Sequence, residues 1–265
     1  MFLRVADASD PALTGYRDVA DPAGLARKGL FVVEGRLPVG RLIEDRRFEV
    51  DSIAATPSAT HALAPLLARH DDVTVYICEP AVLEAVTGFD FHRGCLALAR
   101  RPAAALPLST FARASRLIAL EAVGNPDNVG GLFRTALALG AGGILLDRAS
   151  ADPLYRKAIR TSMAASLRVP FTRVEPWPSG LDALKAGGFQ VIALTPEPDA
   201  ISIDDHVVQP GRRLILALGS EGAGLHPESM RYADVKLRIP IDPRADSLNV
   251  VVAAAMALSA LRARR

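Results

Sequence analysis

The sequence is poor in the residues on which small cross-linked or metal-centred folds depend. Only two cysteines are present, Cys78 and Cys95, and neither lies in a CxxC or Cys/His spacing. This pattern argues against a disulfide framework and against a zinc site, so we expect no bound metal. Both cysteines are expected to be small apolar residues in or beside strands, in a protein of the reducing cytoplasm.

Long hydrophobic runs are also missing. The N-terminal residues mix acidic, basic and proline side chains and contain no signal-peptide core. The longest apolar run, residues 250–261, is well short of the roughly 20 residues that a membrane-spanning helix needs. The sequence therefore predicts neither secretion nor membrane insertion.

Charge of one sign is not in large excess. The formal net charge is +2, with hydrophobic residues at 50% and charged residues at 23% of the chain. This is the composition of an ordinary globular protein. A polyanionic partner would have to meet a local patch of arginine and lysine, because the surface as a whole is nearly neutral.

The order of strand-like and helix-like segments indicates two domains in the 265 residues. From residue 30 to residue 99, short apolar runs alternate with helical stretches, which predicts a compact α/β unit of about seventy residues. The next stretch is rich in alanine, proline and arginine and lacks strand alternation, so it is predicted to be a connection. We place the boundary near Pro107, which gives domains 1–106 and 107–265.

The second domain is predicted to be an α/β/α unit with a parallel sheet covered on both faces. Continuous apolar strands separated by helical stretches are typical of this class. The last helix, predicted at residues 248–263, is hydrophobic nearly all round and is expected to be buried, in the core or at a subunit contact. The predicted strands are 117–120, 143–146, 171–174, 190–194, 214–218 and 235–239.

The first candidate site follows the strand at 117–120, where a polar turn leads into an apolar helix. Strand ends of this kind host binding sites in α/β folds. Asn128 or Asp127 is expected to cap the helix, although Asn128 is also a candidate for contact with a ligand. Arg134 lies on an otherwise apolar helix, so it is expected either to form a structural ion pair or to belong to a functional site.

The second candidate site is a loop at residues 219–225, where three glycines follow an apolar strand. A loop with so few side chains can present backbone N–H and C=O groups to a ligand. It matches neither GxGxxG nor GK[ST], so the dinucleotide and Walker patterns are not supported. Glu221 would repel a phosphate but would tolerate a neutral or cationic ligand. His226 is expected to be a helix cap or a surface residue.

The third candidate site runs from a strand through a proline-marked turn into the last helix. Ser247 is expected to be the N-cap of that helix. Asn249 is expected in the first turn, where its amide could order the neighbouring loops or contact a ligand.

Taken together, these three segments resemble the three motifs of the SpoU branch of the SPOUT methyltransferase superfamily, over about residues 115–263. Each match alone would be weak, but the three in this order and spacing are specific. The matching residues are Asn128, Gly130, 134–136, 219–225, 239–240 and 247–250.

The resemblance implies an S-adenosylmethionine-dependent methyltransferase that acts on a ribose 2′-hydroxyl of ribosomal or transfer RNA. It also implies a trefoil knot and a homodimer whose active site joins both subunits. By resemblance Arg134 is the catalytic arginine, with Asn128 holding Arg134 or the RNA and with Glu221, Ser247 and Asn249 in support. The cofactor is expected to contact Leu218, Gly219, Ser220, Glu221, Gly222, Ile239, Leu248 and Asn249.

Arginine is a poor general base because its pKa lies above about 12. We therefore expect Arg134 to orient the RNA and to stabilise negative charge, while a phosphate or a water accepts the proton.

The first half of the chain resembles, more loosely, the ribosomal-protein-like substrate-binding domain that often precedes SpoU catalytic domains, through residues 31–35 and 91–99. Aromatic residues make up only 5% of the chain, so stacking on bases is not expected to dominate. RNA phosphates would be met by cations. The candidates are Arg36, Arg41, Arg46, Arg47, Arg93, Arg156, Lys157, Arg160 and Arg168.

Two positions depart from the family pattern. Pro243 stands where a glycine is common in the third motif, and Ala164 stands where a glycine is common after the serine at 162. Both departures concern the shape of a loop rather than a reacting group.

Two other functions are compatible with parts of this pattern. One is a non-catalytic RNA-binding or ribosome-associated protein that keeps the fold, against which Arg134 and Asn249 argue. The other is a nicotinamide-dependent oxidoreductase, which needs a glycine fingerprint after an early strand and an acidic residue about 20 positions later. The sequence contains neither feature.

Overall fold

The computed structural model describes residues 1–70, 72–88, 91, 93–206, 209 and 211–262. The chain divides into two compact units, one made of Met1–Ala104 with Leu154–Arg168 and one made of Ala105–Pro153 with Val169–Arg265. The change of unit after Ala104 falls within the predicted connection. The segment Leu154–Arg168 groups with the first unit, which a single boundary near Pro107 does not describe.

The regular elements are numbered in chain order. The strands are β1 (Phe2–Arg4), β2 (Leu30–Glu34), β3 (Val50–Ala55), β4 (Val75–Ile77), β5 (Cys95–Arg100), β6 (Arg116–Leu120), β7 (Ile144–Leu146), β8 (Phe171–Arg173), β9 (Phe189–Leu194), β10 (Ile201–Ser202), β11 (Arg213–Leu218) and β12 (Val235–Arg238). The α-helices are α1 (Thr14–Arg17), α2 (Pro22–Arg27), α3 (Arg36–Asp45), α4 (Pro57–Leu67), α5 (Pro80–Thr87), α6 (Pro126–Leu139), α7 (Arg156–Thr161), α8 (Ala165–Arg168), α9 (Asp182–Ala186), α10 (Pro227–Tyr232) and α11 (Val250–Ala260). Short 3₁₀ helices lie at Pro11–Leu13, Asp18–Ala20, Leu108–Phe111 and Ser179–Leu181.

Proline sets the start of several helices. The helices α2, α4, α5, α6 and α10 each begin with a proline. Proline is favourable there because its φ already suits the helix and its missing N–H would have had no intrahelical partner. The residue before the proline then becomes the cap, as His226 does for α10. The expectation that His226 is a cap is confirmed.

The first unit is built on a five-stranded mixed sheet with the strand order β1-β4-β3-β5-β2. Strand β5 pairs antiparallel with β2 and β3, and β4 pairs parallel with β1 and β3. Both cysteines are buried here, Cys95 in β5 and Cys78 just after β4, as expected. Burial raises the pKa of Cys78 to about 11 and that of Cys95 to about 12, so both are neutral thiols near pH 7.

The second unit is built on a seven-stranded sheet with the order β10-β12-β9-β11-β6-β7-β8, and every strand pairs parallel to its neighbours. Each of the six strands predicted in this half differs from the observed one by one residue at one end. Strand β10 was not predicted, because two residues carry no alternation pattern. The α/β fold with a parallel sheet is confirmed.

Helices cover the two faces of this sheet because successive side chains of a strand point to opposite sides. On one side, Leu117, Ala119 and Ile215 pack into a cluster with Phe111 and Leu184. On the other side, α6 and α11 pack against each other, and α11 contacts β11. Among the described residues, no helix is both long and apolar enough to cross a membrane.

Candidate active site

A cavity of about 470 Å³ lies at the carboxyl edge of the seven-stranded sheet. Its walls come from residues 194–197, 218–225 and 239–248, which follow the neighbouring strands β9, β11 and β12. The carboxyl ends of parallel strands meet at one edge, so these three loops are brought together although they are far apart in sequence. The volume lies in the range of small-molecule sites, about 300–1,000 Å³.

Seven of the eight residues predicted to contact a cofactor line this cavity. They are Leu218, Gly219, Ser220, Glu221, Gly222, Ile239 and Leu248. The eighth, Asn249, is not among the lining residues, but its side-chain amide donates to Glu221 Oε1 at 2.7 Å. Ser247, predicted as a supporting residue, also lines the cavity.

The glycine loop folds tightly back on itself. Ser220 and Gly224 form an isolated β-bridge, and Gly224 N–H donates to the Ser220 carbonyl at 3.0 Å. Gly224 has a φ of +67°, and a Cβ on Gly219 would lie 2.0 Å from the Gly224 carbonyl carbon. No larger residue fits at position 219 unless the loop moves. The observed shape of this wall therefore requires glycine at that position.

The three motifs are joined by a small hydrogen-bonded network. Asn249 Nδ2 donates to Asn128 Oδ1 at 3.1 Å and to Glu221 Oε1 at 2.7 Å. Asn249 Oδ1 accepts from the N–H of Val251 at 2.9 Å. One side chain therefore connects the start of α6, the glycine loop and the start of α11.

The caps of α6 and α11 differ from those predicted. The N-cap of α6 is Asn125, whose side chain accepts from the N–H of Asp127, and Asn128 lies buried inside the first turn. Pro126 determines this, because it occupies the first helical position. The N-cap of α11 is Asn249, two residues after the predicted Ser247, so the prediction for Ser247 was wrong.

Arg134 lies on the exposed side of α6 and makes no hydrogen bond or ion pair with any described residue. The structural ion pair considered from the sequence is therefore not formed within this part of the chain. Asn128 was expected to hold either Arg134 or the RNA; its side-chain oxygen accepts from Asn249 and it makes no described bond to Arg134, so contact with the RNA stays a prediction. The Arg134 side chain is therefore exposed and unpaired within the described residues.

The cavity is acidic. Carboxylates of Glu197, Glu221 and Asp246 line it, and no lysine or arginine is among the described residues that do so. Lys236 is close by and pairs with Glu197 at 3.1 Å. A cationic ligand suits this lining better than a phosphate does.

Sequence reasoning did not identify the third wall of the cavity. Thr195 and Glu197 follow β9 and line the cavity, although only the strand itself was predicted. The sequence did contain a signal for this wall. Thr195 and Glu197 are polar residues directly after a buried strand, as in the other two loops. The third-motif turn forms despite Pro243, because the Ala245 N–H donates to the Asp242 carbonyl at 2.9 Å around it.

Ala164, the other departure from the family pattern, takes up the backbone conformation that a glycine would favour. Its φ is +69°, and that of Met163 is +52°. The loop shape is therefore present without the glycine, at a cost in backbone strain.

The sequence of the chain is similar to those of known methyltransferases. The model of the SpoU rRNA Methylase family matches residues 115–259. An uncharacterized tRNA/rRNA methyltransferase of Mycobacterium bovis is 35% identical, over 96% of this chain and 89% of its own length. A 23S rRNA (guanosine-2′-O-)-methyltransferase of a Burkholderia species is 31% identical, over 72% of this chain and 78% of its own.

The fold has counterparts among solved structures. An AdoMet-bound rRNA methyltransferase from Sinorhizobium meliloti superposes with a TM-score of 0.84 at 23% identity, covering 98% of this chain and 97% of that one. At this identity the likeness concerns the fold of the whole chain, including the first unit.

Proposed function

Because the chain belongs to the SpoU rRNA methylase family, we propose that it transfers a methyl group from S-adenosylmethionine to a ribose 2′-hydroxyl of ribosomal or transfer RNA. The observation that carries the proposal is one cavity lined by the second and third motifs, with Asn249 bonded both to Glu221 of that lining and to Asn128 of the first motif. We place the reaction in the cytoplasm, in keeping with the free cysteines Cys78 and Cys95.

The cavity fits the cofactor in size, shape and charge. Its volume suits a nucleoside with an amino-acid tail, and backbone groups of the glycine loop are exposed for the adenosine. The carboxylates of Glu221 and Asp246 favour a positively charged sulfonium. The bound cofactor supplies an electrophilic methyl group. Leu218, Gly219 and the other residues predicted for cofactor contact hold it in place.

Arg134 acts on the RNA. A guanidinium is a poor general base, so Arg134 does not remove the proton of the hydroxyl. Its free donors orient the target phosphate and hydroxyl and stabilise the negative charge that develops on the attacking oxygen, while a phosphate or water takes the proton. Asn128 and Asn249 connect the start of α6, the helix that carries Arg134, to the glycine loop.

A homodimer completes the site. The helices α6 and α11 pack together and leave Leu137, Val252 and Met256 between 42% and 48% exposed. The helix predicted to be buried all round therefore has an uncovered apolar side, which a second copy of the chain would cover. Sedimentation equilibrium tests this, and a mass of one chain at micromolar concentration would contradict it. Family likeness also leads us to propose the trefoil knot in the second unit.

The first unit binds the RNA. Most of the predicted cations are already paired with carboxylates, as Arg93 and Arg156 are with Glu34 and Arg168 is with Asp45. The side chain of Arg160 is exposed and makes no ion pair with any described residue. Arg160→Ala should weaken RNA binding and reduce its salt dependence by about one unit of slope. An unchanged slope would remove Arg160 from the RNA-binding surface.

The proposal is tested by mapping ribose methylation in total RNA by mass spectrometry, with and without the protein in the cell. We expect one or a few 2′-O-methylated nucleotides to lose the modification. If the purified protein binds S-adenosylhomocysteine and RNA but no nucleotide changes, the chain is a non-catalytic RNA-binding protein that has kept the fold.

A further inference from the structure

Glu121 is a buried carboxylate that no step of the proposed reaction uses. It follows β6 directly and is 6% exposed. Within the described residues it has no lysine or arginine partner. A buried charge without a cation needs several hydrogen-bond donors, so its partners reveal what it does.

All three of its side-chain partners are donors. Oε1 accepts from the backbone N–H of His226 at 2.5 Å. Oε2 accepts from Trp177 Nε1 at 2.5 Å and from the hydroxyl of Ser229. Both oxygens of the carboxylate are therefore engaged as acceptors.

These bonds reach both ends of the glycine loop. The Glu121 backbone N–H donates to the Leu218 carbonyl at 2.9 Å, where the loop begins. The carboxylate accepts from His226, the residue after Leu225, where the loop ends. Leu218 and Leu225 both line the cavity, so one residue fixes the distance between the two ends of its glycine wall.

The bond from the Ser229 hydroxyl connects Glu121 to helix α10 as well. Ser229 precedes Met230, which is buried and also lines the cavity. The Trp177 indole N–H also lies within hydrogen-bond distance of the Ser229 hydroxyl, at 3.2 Å. Movement of Glu121 would therefore displace two walls of the cavity together.

We infer that Glu121 is a positioning residue, which holds the loop 219–225 and α10 in the shape that binds the cofactor. The inference rests on the proposed function, since it takes the cavity to be the S-adenosylmethionine site. Glu121 itself is not among the described residues that line the cavity. Its effect should appear in cofactor affinity and not in turnover once the cofactor is saturating.

Glu121→Gln tests this with almost no change in size. A glutamine amide has one acceptor oxygen and one NH₂ donor, so either His226 or the Trp177–Ser229 pair would face a donor. Loss of a hydrogen bond to a charged group weakens binding by about tenfold or more when the bond shapes the site. We expect S-adenosylhomocysteine, measured by isothermal titration, to bind at least about tenfold more weakly, with kcat at saturating cofactor within about threefold of wild type.

Asp182→Asn is the matched control. Asp182 is an exposed carboxylate that accepts from the hydroxyl of Tyr232 at 2.7 Å, on the same helix α10. The same change from carboxylate to amide there should leave the cofactor dissociation constant within twofold. Equal weakening in both variants would overturn the inference, because the loss would then be a general effect on α10.

The remaining outcomes are also decisive. If Glu121→Gln lowers the melting temperature but binds S-adenosylhomocysteine as tightly as wild type, Glu121 is only structural and the inference is wrong. If it lowers kcat without changing the dissociation constant, the inference is wrong as well. If wild type itself does not bind S-adenosylhomocysteine, the proposed function fails, which is a different result.

Variants of the donors keep the test valid if Glu121→Gln does not fold. Trp177→Phe and Ser229→Ala each remove one donor and leave the other bonds of the carboxylate in place. Each should weaken S-adenosylhomocysteine binding by about two- to fivefold, and both together by more. Unchanged binding in the double variant would overturn the inference.

Discussion

The amino edge and the carboxyl edge of the seven-stranded sheet use polar side chains in opposite ways. At the amino edge, Arg116 at the start of β6 donates to the carbonyl oxygens of Leu139 at 2.6 Å and Leu258 at 2.8 Å. These carbonyls belong to the last turns of α6 and α11, where a cation also suits the negative end of the helix dipole. The arginine is used to hold two helix ends.

At the carboxyl edge, buried carboxylates hold the loops. Asp147 accepts from the N–H of Ala122 at 3.0 Å and from Ser150, as Glu121 does from its own three donors. Arg134, on the helix that leads away from this edge, makes no such bonds with the described residues. Arg116, whose donors are satisfied, therefore has a structural role, whereas the unpaired Arg134 is available to a ligand. Substitutions at these residues test whether the paired and the unpaired arginine differ in this way.

The largest effect is expected for Arg134→Ala. Removal of a charge that stabilises the transition state should reduce turnover about 10²–10³-fold. The melting temperature should stay within about 1 °C, because no described partner loses a bond. Transfer of tritium from labelled S-adenosylmethionine to RNA and thermal unfolding measure the two quantities. Near-full turnover in Arg134→Lys with unaltered RNA affinity would contradict the proposed bidentate orientation.

Gly219→Ala should come next. The added Cβ would lie 2.0 Å from Gly224, so the loop must open and S-adenosylhomocysteine should bind roughly 30- to 100-fold more weakly. Gly40→Ala is the control, since a Cβ there meets nothing closer than 3.8 Å within α3. It should leave binding unchanged and slightly stabilise the helix. Similar affinity for both variants would mean that the glycine loop is not part of the cofactor site.

Arg116→Met should affect stability and not binding. The substitution keeps the apolar stem but leaves the carbonyls of Leu139 and Leu258 without their cation, which should cost about 2–4 kcal/mol of unfolding free energy. Urea unfolding measures this loss. Cofactor affinity should stay within twofold, and a tenfold loss would show that the two edges are not functionally separate.

The smallest effect is expected for Ala122→Gly. Ala122 has a φ of +53°, which is unfavourable for a residue with a Cβ, and it lies between Glu121 and the first-motif turn. Glycine should relieve this strain and stabilise the chain by about 0.5–1 kcal/mol in urea unfolding. Destabilisation would mean that the left-handed conformation is not strained at this edge.

Much of the second unit could be predicted because its strands are buried on both faces. Such strands appear in the sequence as continuous apolar runs, and so β6, β9 and β11 were found to within one residue. Strand β1 was not predicted, since all three of its residues are exposed and carry no pattern. Between residues 30 and 99 the sequence predicted helical stretches at 59–70 and 80–88, so helix α3 was missed, although it is ten residues long.

The site was harder to predict in detail than the fold. Several residues near each helix start could serve as caps, and only the fixed φ of Pro126 decides between Asn125 and its neighbours. The role of Glu121 depends on Trp177 and Ser229, which are distant in sequence. The grouping of Leu154–Arg168 with the first unit is likewise a long-range property that local patterns do not contain.

In the proposed function, three separate loops at one sheet edge hold the methyl donor. Hydrogen–deuterium exchange of the full chain with and without S-adenosylhomocysteine tests it most directly. We expect the cofactor to slow exchange in all three segments, 194–197, 218–225 and 239–250, and to leave the loops of the amino edge unchanged. Protection confined to one of these segments, or the same protection with NAD, would contradict it.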